Sequence, residues 1–370
     1  PLFPLSPGLP VSRMVPLFLP IFLLLSLMTS CQEPEDKPAG PDTTSHYFNW
    51  TIDTIGVPGT YLHDVAVINE NNIWVTGEIY TDEPDTFYNR PYSVYNAANW
   101  NGDEWNLHQF GFYSFCDTTR RPYPYPAKAI FVFSDSQFVV SRGGEILFID
   151  GDKEVNEMCI EVGINAIWGP SIDNFWVAGR DGKIAHYDGE AFTVQATVDG
   201  GIQLLDLWGL DENHVWAAGS VNNLPDYGSA LLEYQDGGWE TKYYIDTTFD
   251  SLGFINWGCA IGDTLYLSTE KGVWKESLST GEGVLIPDRV LDVGNWALGR
   301  IRATSYNDIL LQVSGGTYRH WNGTSWQPVM VFNDYAPGQV YWMGNFVLKR
   351  DFALLTGGAN GGGIVFRGYR

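Results

Sequence analysis

The stretch INAIWGPSIDNFWVAGRDGKIAHYDGEAF, residues 164 to 192, decides the fold. Its short apolar and aromatic runs, such as FWVAG, are separated by turn formers, such as RDG and DG. Runs of this kind predict β-strands, and the Gly and Asp residues between them predict tight hairpins. The stretch therefore predicts one antiparallel unit of four short strands.

The second strand of this unit recurs along the chain. Equivalent central residues of the seven copies are Trp74, Val139, Trp176, Trp216, Tyr266, Leu310 and Ala353. The first interval is 65 residues, and the later ones run from 37 to 50. Seven four-stranded units of about 40 residues each predict an all-β fold, a seven-bladed β-propeller of antiparallel blades. The repeated tryptophans occupy equivalent positions, so we interpret them as inter-blade packing rather than a sugar-stacking ladder.

The last copy is incomplete, because the chain stops soon after its third strand. Near the other end, FNWTID at residues 48 to 53 resembles a lone fourth strand. Pairing of the two would close the ring and leave no open inner edge. We therefore predict a propeller spanning residues 47 to 370, closed by an N-terminal strand.

The N-terminal residues carry a targeting signal. MVPLFLPIFLLLSLMTSC, which ends at Cys31, resembles a bacterial lipoprotein signal with small residues before the cysteine. This predicts a signal peptide over residues 1 to 30, a true start at Met14, and lipidation of Cys31. The Pro-rich, acidic residues 31 to 46 predict a disordered tether. The expected location is the bacterial cell envelope as an outer-membrane lipoprotein, with the periplasmic or surface side left open; a spanning anchor or an ordinary secretory signal are the alternatives.

The charge of the chain limits the classes of molecule that it can bind, and its cysteines predict a disulfide. The chain has 44 acidic and 21 basic residues and a formal charge of −23, which disfavours nucleic-acid binding. Of the remaining cysteines Cys116, Cys159 and Cys259, one pair can form a disulfide in an oxidising compartment. Cys116 and Cys159 fall in neighbouring copies and are the favoured pair, but the sequence alone leaves the pairing open. We expect a monomer without a cofactor, with calcium held by loop oxygens left open.

The repeat also resembles a known group. The pattern WG followed by DN-x-FW-VAG in copies three and four is similar to the repeat of secreted bacterial propeller lipoproteins loosely related to the BNR/Asp-box group. The resemblance covers roughly residues 48 to 370 and implies an extracytoplasmic protein. The chain departs from an Asp box, since WNGTSW at residues 321 to 326 shares only the turn. Sialidases of similar fold also need three converging arginines, whereas only Arg300 and Arg302 alternate on one predicted inner strand.

These arginines have two interpretations. They line the channel and bind an anion, or they pair with nearby carboxylates. No catalytic set emerges, so the predicted function is a non-catalytic binding or scaffold propeller for an envelope protein, peptide or glycan. The alternative is a saccharide-active hydrolase or lyase.

Long insertions fall on one face of the predicted propeller, where second-to-third-strand turns and blade connections emerge. They include residues 78 to 94 in the first copy and residues 220 to 228 in the fourth, and they are rich in aromatic residues that match no repeat position. Binding groups tend to lie on such loops. The predicted ligand-binding residues are Tyr88, Tyr92, Tyr123, Tyr125 and Tyr227, together with Arg300 and Arg302. The alternative is that the loops pack over one another as a cap.

Overall fold

The computed structural model describes residues 43–113, 117, 119, 121–223, 226–245, 252–287, 291, 299–313, 316–335 and 340–370. The predicted signal peptide and residues 31 to 42 of the predicted tether, with Cys31, lie outside these residues, as does Cys116. All structural statements below concern the described part of the chain.

Seven four-stranded antiparallel sheets make up the molecule. Blade 1 contains β2 (Tyr61–Asn69), β3 (Asn72–Thr81), β4 (Ser93–Trp100) and β5 (Trp105–His108). Blade 2 contains β6 (Ala129–Val132), β7 (Gln137–Arg142), β8 (Glu145–Asp150) and β9 (Lys153–Cys159). Blade 3 contains β10 (Ile164–Ser171), β11 (Asn174–Gly179), β12 (Lys183–Tyr187) and β13 (Phe192–Thr197), with a 3-10 turn at Arg180–Gly182.

Blade 4 contains β14 (Gln203–Asp211), β15 (His214–Asn223), β16 (Asp226–Gln235) and β17 (Gly238–Ile245). Blade 5 contains β18 (Ile255–Ile261), β19 (Thr264–Thr269), β20 (Gly272–Ser277) and β21 (Gly283–Pro287). Blade 6 contains β22 (Ile301–Ser305), β23 (Asp308–Val313), β24 (Thr317–Trp321) and β25 (Trp326–Val331), followed by a helical turn at Phe332–Tyr335. Blade 7 contains β26 (Val340–Lys349), β27 (Phe352–Ala359), β28 (Gly362–Tyr369) and β1 (Asn49–Ile55). The fold is the predicted seven-bladed β-propeller.

The N-terminal strand closes the ring, as the sequence predicts. β1 pairs antiparallel with β28, from Asn49 opposite Tyr369 to Ile55 opposite Gly363. An ion pair crosses this junction, with Arg367 Nε 2.7 Å from Asp53 Oδ2. Both ends of the propeller chain therefore lie in one sheet.

The hydrophobic core lies between neighbouring blades. Trp74 of β3 packs with Phe138 of blade 2, and Trp176 of β11 packs with Leu207 of blade 4. Trp216 is fully buried with Leu265 of blade 5 in the same way. The interpretation of the tryptophans as packing residues therefore fits the structure.

The Ala-Gly ending of the repeat has a steric cause. A Cβ at Gly179 would lie 1.9 Å from the carbonyl oxygen of Gly163, and one at Gly219 would lie 1.9 Å from that of Gln203. These are impossible distances, so each glycine lets the second strand approach the start of the first. The glycine is a packing requirement of the blade.

The two faces of the propeller differ. We call the face with the second-to-third-strand turns and the blade connections the upper face, and the opposite one the lower face. The insertion at residues 82 to 92 lies on the upper face and carries a bridge between Asp85 and Arg90. The predicted loop at residues 220 to 228 is instead an extension of the β15–β16 hairpin, paired out to Asn223 and Asp226.

A polar network fastens the segment before β1 to the lower face of blade 6. His46 Nδ1 lies 2.9 Å from His320 Nδ1, and His320 Nε2 lies 2.9 Å from Asp308 Oδ1. Arg370 Nη2 is 2.6 Å from the same carboxylate oxygen, and Ser325 Oγ is 3.2 Å from His46 Nε2. We call these residues the closure network.

Candidate functional site

A cavity of about 290 Å³ lies on the propeller axis. The first strands of all seven blades line it, and it holds the charged residues His63, Asp64, Asp206, Arg300 and Arg302, with Lys128 at its edge. Cavities on a propeller axis are common ligand sites because they are concave and rigid. Both predicted arginines therefore meet at one site.

A repeated backbone irregularity shapes the cavity wall. β2, β10, β14 and β18 each show a register shift near their start, between Leu62 and Asp64 in β2 and between Leu204 and Asp206 in β14. An extra residue in a strand twists it and turns the next side chain. The bulge thus accompanies Asp64 and Asp206 at matching places on the cavity wall.

Arg302 is held by a carboxylate of another blade. Its Nη1 lies 2.9 Å from Asp206 Oδ2, and its Nη2 lies 3.1 Å from Asp206 Oδ1. The Gly258 amide also donates to Oδ2, at 3.3 Å. Burial opposes the charge of Arg302, but the carboxylate of Asp206 outweighs it and raises the guanidinium pKa. This two-pronged pair fixes blade 6 to blade 4 across the axis.

Asp64 is satisfied by donors of its own wall. The Val65 amide and Asn345 Nδ2 donate to Oδ1 at 2.8 Å and 2.7 Å, and the Ile130 amide donates to Oδ2 at 2.9 Å. Burial raises the pKa of this carboxyl, while these hydrogen bonds and the charge of Arg300 oppose the shift. Asp64 therefore links blades 1, 2 and 7, and its carboxylate oxygens already accept hydrogen bonds from the protein.

Arg300 differs from its neighbours. Among the described residues, its guanidinium makes no hydrogen bond and no ion pair, and its one ring contact places Cζ 5.7 Å from the centre of Trp257. The side chain keeps partial solvent access. Burial nevertheless lowers its pKa, because the charge is poorly hydrated there. Arg300 is a cation in the cavity wall without a counter-charge in contact.

Cys259 also lines the cavity. Its thiol is unbonded and buried, and burial raises its pKa to about 12. A thiol so far from ionisation is a poor nucleophile. Cys259 therefore acts as a packing residue at this site.

A basic groove leads to the cavity from the upper face. It has a volume of about 540 Å³ and includes Lys128, Arg142, Asn165 and Arg180 in its wall. Lys128 and Asn165 line the cavity as well, so the two spaces adjoin. Lys128 Nζ is 3.2 Å from His63 Nε2, and burial and that charge lower the pKa of His63 to about 4.

The upper-face tyrosines come together around Arg90. The rings of Tyr88 and Tyr123 meet edge to face with centres 4.9 Å apart, and Tyr123 and Tyr125 do so at 4.8 Å. Arg90 Cζ lies 5.5 Å and 5.2 Å from the rings of Tyr88 and Tyr123, and Arg90 donates a hydrogen bond to the Tyr123 hydroxyl. The loops thus pack on one another, as the cap interpretation holds, yet they form one aromatic surface. We call Tyr88, Tyr92, Tyr123 and Tyr125 the tyrosine cluster.

The edges of this cluster connect it to neighbouring elements. Tyr92 is 39% exposed and packs against Tyr80 with ring centres 5.6 Å apart. Arg142, in the wall of the basic groove, lies 3.9 Å above the ring of Tyr125. Aromatic surface, groove and cavity are therefore continuous along the upper face.

The structure describes the other predicted site residues only in part. Tyr227 lies in β16 of the extended hairpin, and its side chain is outside the described part of the structure. Cys159 is disulfide-bonded, while Cys116 lies outside the described residues, so this pairing stays a prediction. Cys31 also lies outside them.

Sequence reasoning missed Asp206 and Lys128 as site residues. Asp206 stands two residues before Trp208 at the repeat position that Asp64 occupies in blade 1. An acidic residue at this inner-strand position was therefore the available signal. Lys128 precedes β6 without a motif, and only the fold places it at the cavity edge.

Two further properties concern the described residues alone. They contain no group of three or more His, Cys, Asp or Glu side chains arranged to hold a metal ion. No helix within them has the length and apolar character needed to cross a membrane.

The comparisons with known proteins agree with the architecture. No protein-family model and no curated protein matches the chain. The solved structure "YCF48 bound to D1 peptide" aligns with a TM-score of 0.60 and 14% identity, covering 87% of this chain and 97% of that one. The Neurospora crassa Pan2 WD40 domain aligns with a TM-score of 0.53 and 13% identity, over 89% and 98% of the two chains. The RRP9 WD40 repeats align with 0.59 and 9%, over 86% and 97%. The chain is a seven-bladed β-propeller with WD40-like structural neighbours.

Proposed function

We propose that this chain is a non-catalytic binding or scaffold propeller that recognises a protein or peptide with its upper face. The observation that carries the proposal is the tyrosine cluster beside a basic groove. Tyr and Arg dominate protein-recognition surfaces because they combine apolar contact with hydrogen bonding. One structural neighbour is described as bound to a peptide, which supports a peptide as the partner.

The cavity chemistry favours binding over hydrolysis. A glycosidase needs one carboxylic acid and one carboxylate directed at the substrate. Here Asp206 is engaged by Arg302, and Asp64 accepts three hydrogen bonds from its own wall. Both carboxyl groups therefore serve the scaffold in this arrangement.

The setting we propose is the bacterial cell envelope, with the protein as an outer-membrane lipoprotein anchored through Cys31. The small residues before this cysteine support it. Replacing Cys31 by Ala should release the protein from membranes and abolish labelling by fatty acid. Retention of the variant in membranes, together with no labelling of the unaltered protein, would contradict the anchor.

The upper face is tested by paired alanine variants against a peptide display library. Tyr123→Ala with Tyr125→Ala should weaken selected peptides by about tenfold or more, since central aromatic residues carry most interface energy. The matched lower-face pair is Asp211→Ala with His214→Ala, which removes an exposed ion pair with a 2.9 Å contact. If the lower-face pair abolishes binding and the upper-face pair does not, the wrong face has been chosen. A glycan array is screened in parallel. If only the glycan array yields ligands, the proposed partner is a saccharide rather than a peptide.

A further inference from the structure

The cavity wall contains donor groups that have no hydrogen-bond partner among the described residues. The carboxylates of Asp64 and Asp206 are occupied, whereas the Arg300 guanidinium has no partner in contact among the described residues. Trp208 Nε1, in a residue that lines the cavity, also lacks a hydrogen-bond partner. Desolvation of an arginine that has no partner lowers the free energy of unfolding. Charged groups of this kind are often found at functional sites.

Tyr318 is close enough to Arg300 for the two groups to interact electrostatically. Its hydroxyl is buried without a hydrogen-bond partner. Burial raises the pKa of Tyr318, and the nearby charge of Arg300 opposes that shift. The hydroxyl therefore stays protonated and cannot neutralise the guanidinium.

The ligand chemistry that complements these donors is an acceptor with a single negative charge. A carboxylate has two acceptor oxygens and matches the planar fork of arginine. A dianion such as phosphate fits less well, because Asp64 and Asp206 also face this cavity and would repel the second charge. The volume of about 290 Å³ suits a carboxyl group on a short stem.

The basic groove that leads to the cavity also favours a negatively charged ligand. Lys128, Arg142 and Arg180 line the groove in a chain whose formal charge is −23. Arg142 is partly neutralised, since its Nη1 is 2.9 Å from Glu145 Oε1. A cationic path on an acidic protein concentrates and steers anions. Arg142 of the groove wall lies 3.9 Å above the ring of Tyr125 and so connects the groove to the tyrosine cluster.

We propose that the axial cavity is a carboxylate-binding site in which Arg300 anchors the carboxylate of a peptide. The peptide chain runs from this anchor along the basic groove to the tyrosine cluster. This inference rests on the proposed peptide-binding function and adds the chemistry that the ligand must carry. The carboxylate comes either from the C-terminus or from an Asp or Glu side chain.

The first experiment compares two random peptide libraries, one with C-terminal carboxylates and one with C-terminal amides. The proteins are the unaltered chain, Arg300→Gln, and the control Arg350→Gln, an exposed arginine on the lower face. Arg300→Gln should weaken selected peptides by about thirtyfold or more, because the ligand carboxylate loses its counter-charge. Arg350→Gln should bind as the unaltered chain does.

The second experiment uses sodium propionate and neutral propionamide as small probes of the cavity. Propionate at about 50 mM should raise the melting temperature of the unaltered chain and of Arg350→Gln by about 2 °C, since a ligand of the folded state stabilises it. Propionamide should have no effect, and neither probe should affect Arg300→Gln. Arg300→Lys keeps the charge without the fork and should recover part of the propionate effect.

The outcomes separate the two proposals. Selection of free C-termini that depends on Arg300 supports a terminal carboxylate, and Arg300-dependent binding of amidated peptides with Asp or Glu supports a side-chain carboxylate. Peptides that bind Arg300→Gln equally well, with no Arg300-dependent propionate effect, overturn the carboxylate site and leave the peptide function standing. Propionate stabilisation that needs Arg300, without any bound peptide, overturns the peptide function alone. Failure of both experiments overturns both proposals.

Discussion

The axial cavity and the closure network both bury arginine and aspartate, but they balance charge differently. At the closure, Asp308 contacts His320 and Arg370, and Asp53 pairs with Arg367, so each charge has a partner. In the cavity, Arg302 has Asp206, whereas Arg300 has no counter-charge in contact. Buried charges that serve only stability are expected to be paired. The comparison therefore favours a scaffold role for the closure and supports the binding role proposed for the cavity.

The largest expected effect comes from removing the closure. Deletion of residues 47 to 56 takes away β1 with buried Phe48 and Ile55 and leaves β28 as an open edge. The melting temperature should fall by about 5 °C or more, because several buried side chains are lost. The matched control is deletion of residues 32 to 42, which should leave thermal unfolding unchanged. An unchanged melting temperature in the first variant would show that β1 does not stabilise the ring.

The second effect separates the two arginines of the cavity. Arg302→Gln leaves Asp206 as an uncompensated buried carboxylate, which costs about 3–5 kcal/mol of unfolding free energy. Arg300→Gln removes a desolvated charge without breaking a pair, so its free energy of unfolding should equal or exceed that of the unaltered chain. Chemical denaturation of both variants measures the difference. Equal destabilisation would mean that Arg300 has a structural partner and would remove the contrast between the regions.

The third effect is a pH dependence of the closure network. Burial lowers the pKa of His46 and of His320, the latter despite the opposing effect of Asp308, so the unfolded chain binds protons more readily than the folded one. Stability is then complete above the unfolded histidine pKa of about 6.5 and falls as the pH drops below it. Asp308, whose folded pKa is lowered, loses its contribution only at still lower pH.

Urea unfolding at pH 7.5 and pH 5.5 tests this pH dependence. His46→Gln should reduce the loss of stability between the two values, because the folded pKa of His46 is lowered by burial. Burial also lowers the pKa of His63 in the cavity, so part of the dependence should persist in His46→Gln. A pH dependence that His46→Gln does not change would argue that His46 binds protons equally well in the folded and the unfolded chain.

The smallest effect concerns the cavity thiol and changes no stability. Cys259 in the folded protein should react with a thiol reagent at least about a hundredfold more slowly than in urea, since burial raises its pKa to about 12. Fast labelling of the folded chain would show a cavity far more open than the structure indicates.

The sequence repeat made the fold predictable. The candidate site could not be predicted in the same way, because it depends on contacts between different blades. Turn dipeptides and the tryptophan positions are local signals, so the seven blades and the closing strand follow from sequence. Arg300 and Arg302 stand two residues apart on one predicted strand, so they face the same side of it and the sequence does not distinguish their roles. Their difference comes from Asp206, which lies 96 residues before Arg302 and contacts only that arginine. Partner choice across a ring axis has no local signature.

The loops show the same division between local and distant signals. An insertion of polar and aromatic residues reads alike whether it forms a loop or a strand extension. The β15–β16 hairpin continues its pairing to Asn223 and Asp226 where the sequence suggested a loop. The tyrosine cluster forms because two insertions, one within blade 1 and one following it, meet around Arg90. Only the ring geometry brings those insertions together.

The direction of β1 determines how the molecule can be mounted. The strand starts at Asn49 beside Tyr369 on the lower face, and Thr44 donates a hydrogen bond to the backbone of Asn307 there. A solid support coupled through an affinity handle that replaces residues 1 to 42 would therefore hold the propeller from its lower side and display the tyrosine cluster to the solution. Coupling through side chains of the upper face, such as Lys128, would instead obstruct the groove. Sensor measurements of the two orientations should differ in capacity, and the N-terminal one is the arrangement in which a peptide has access.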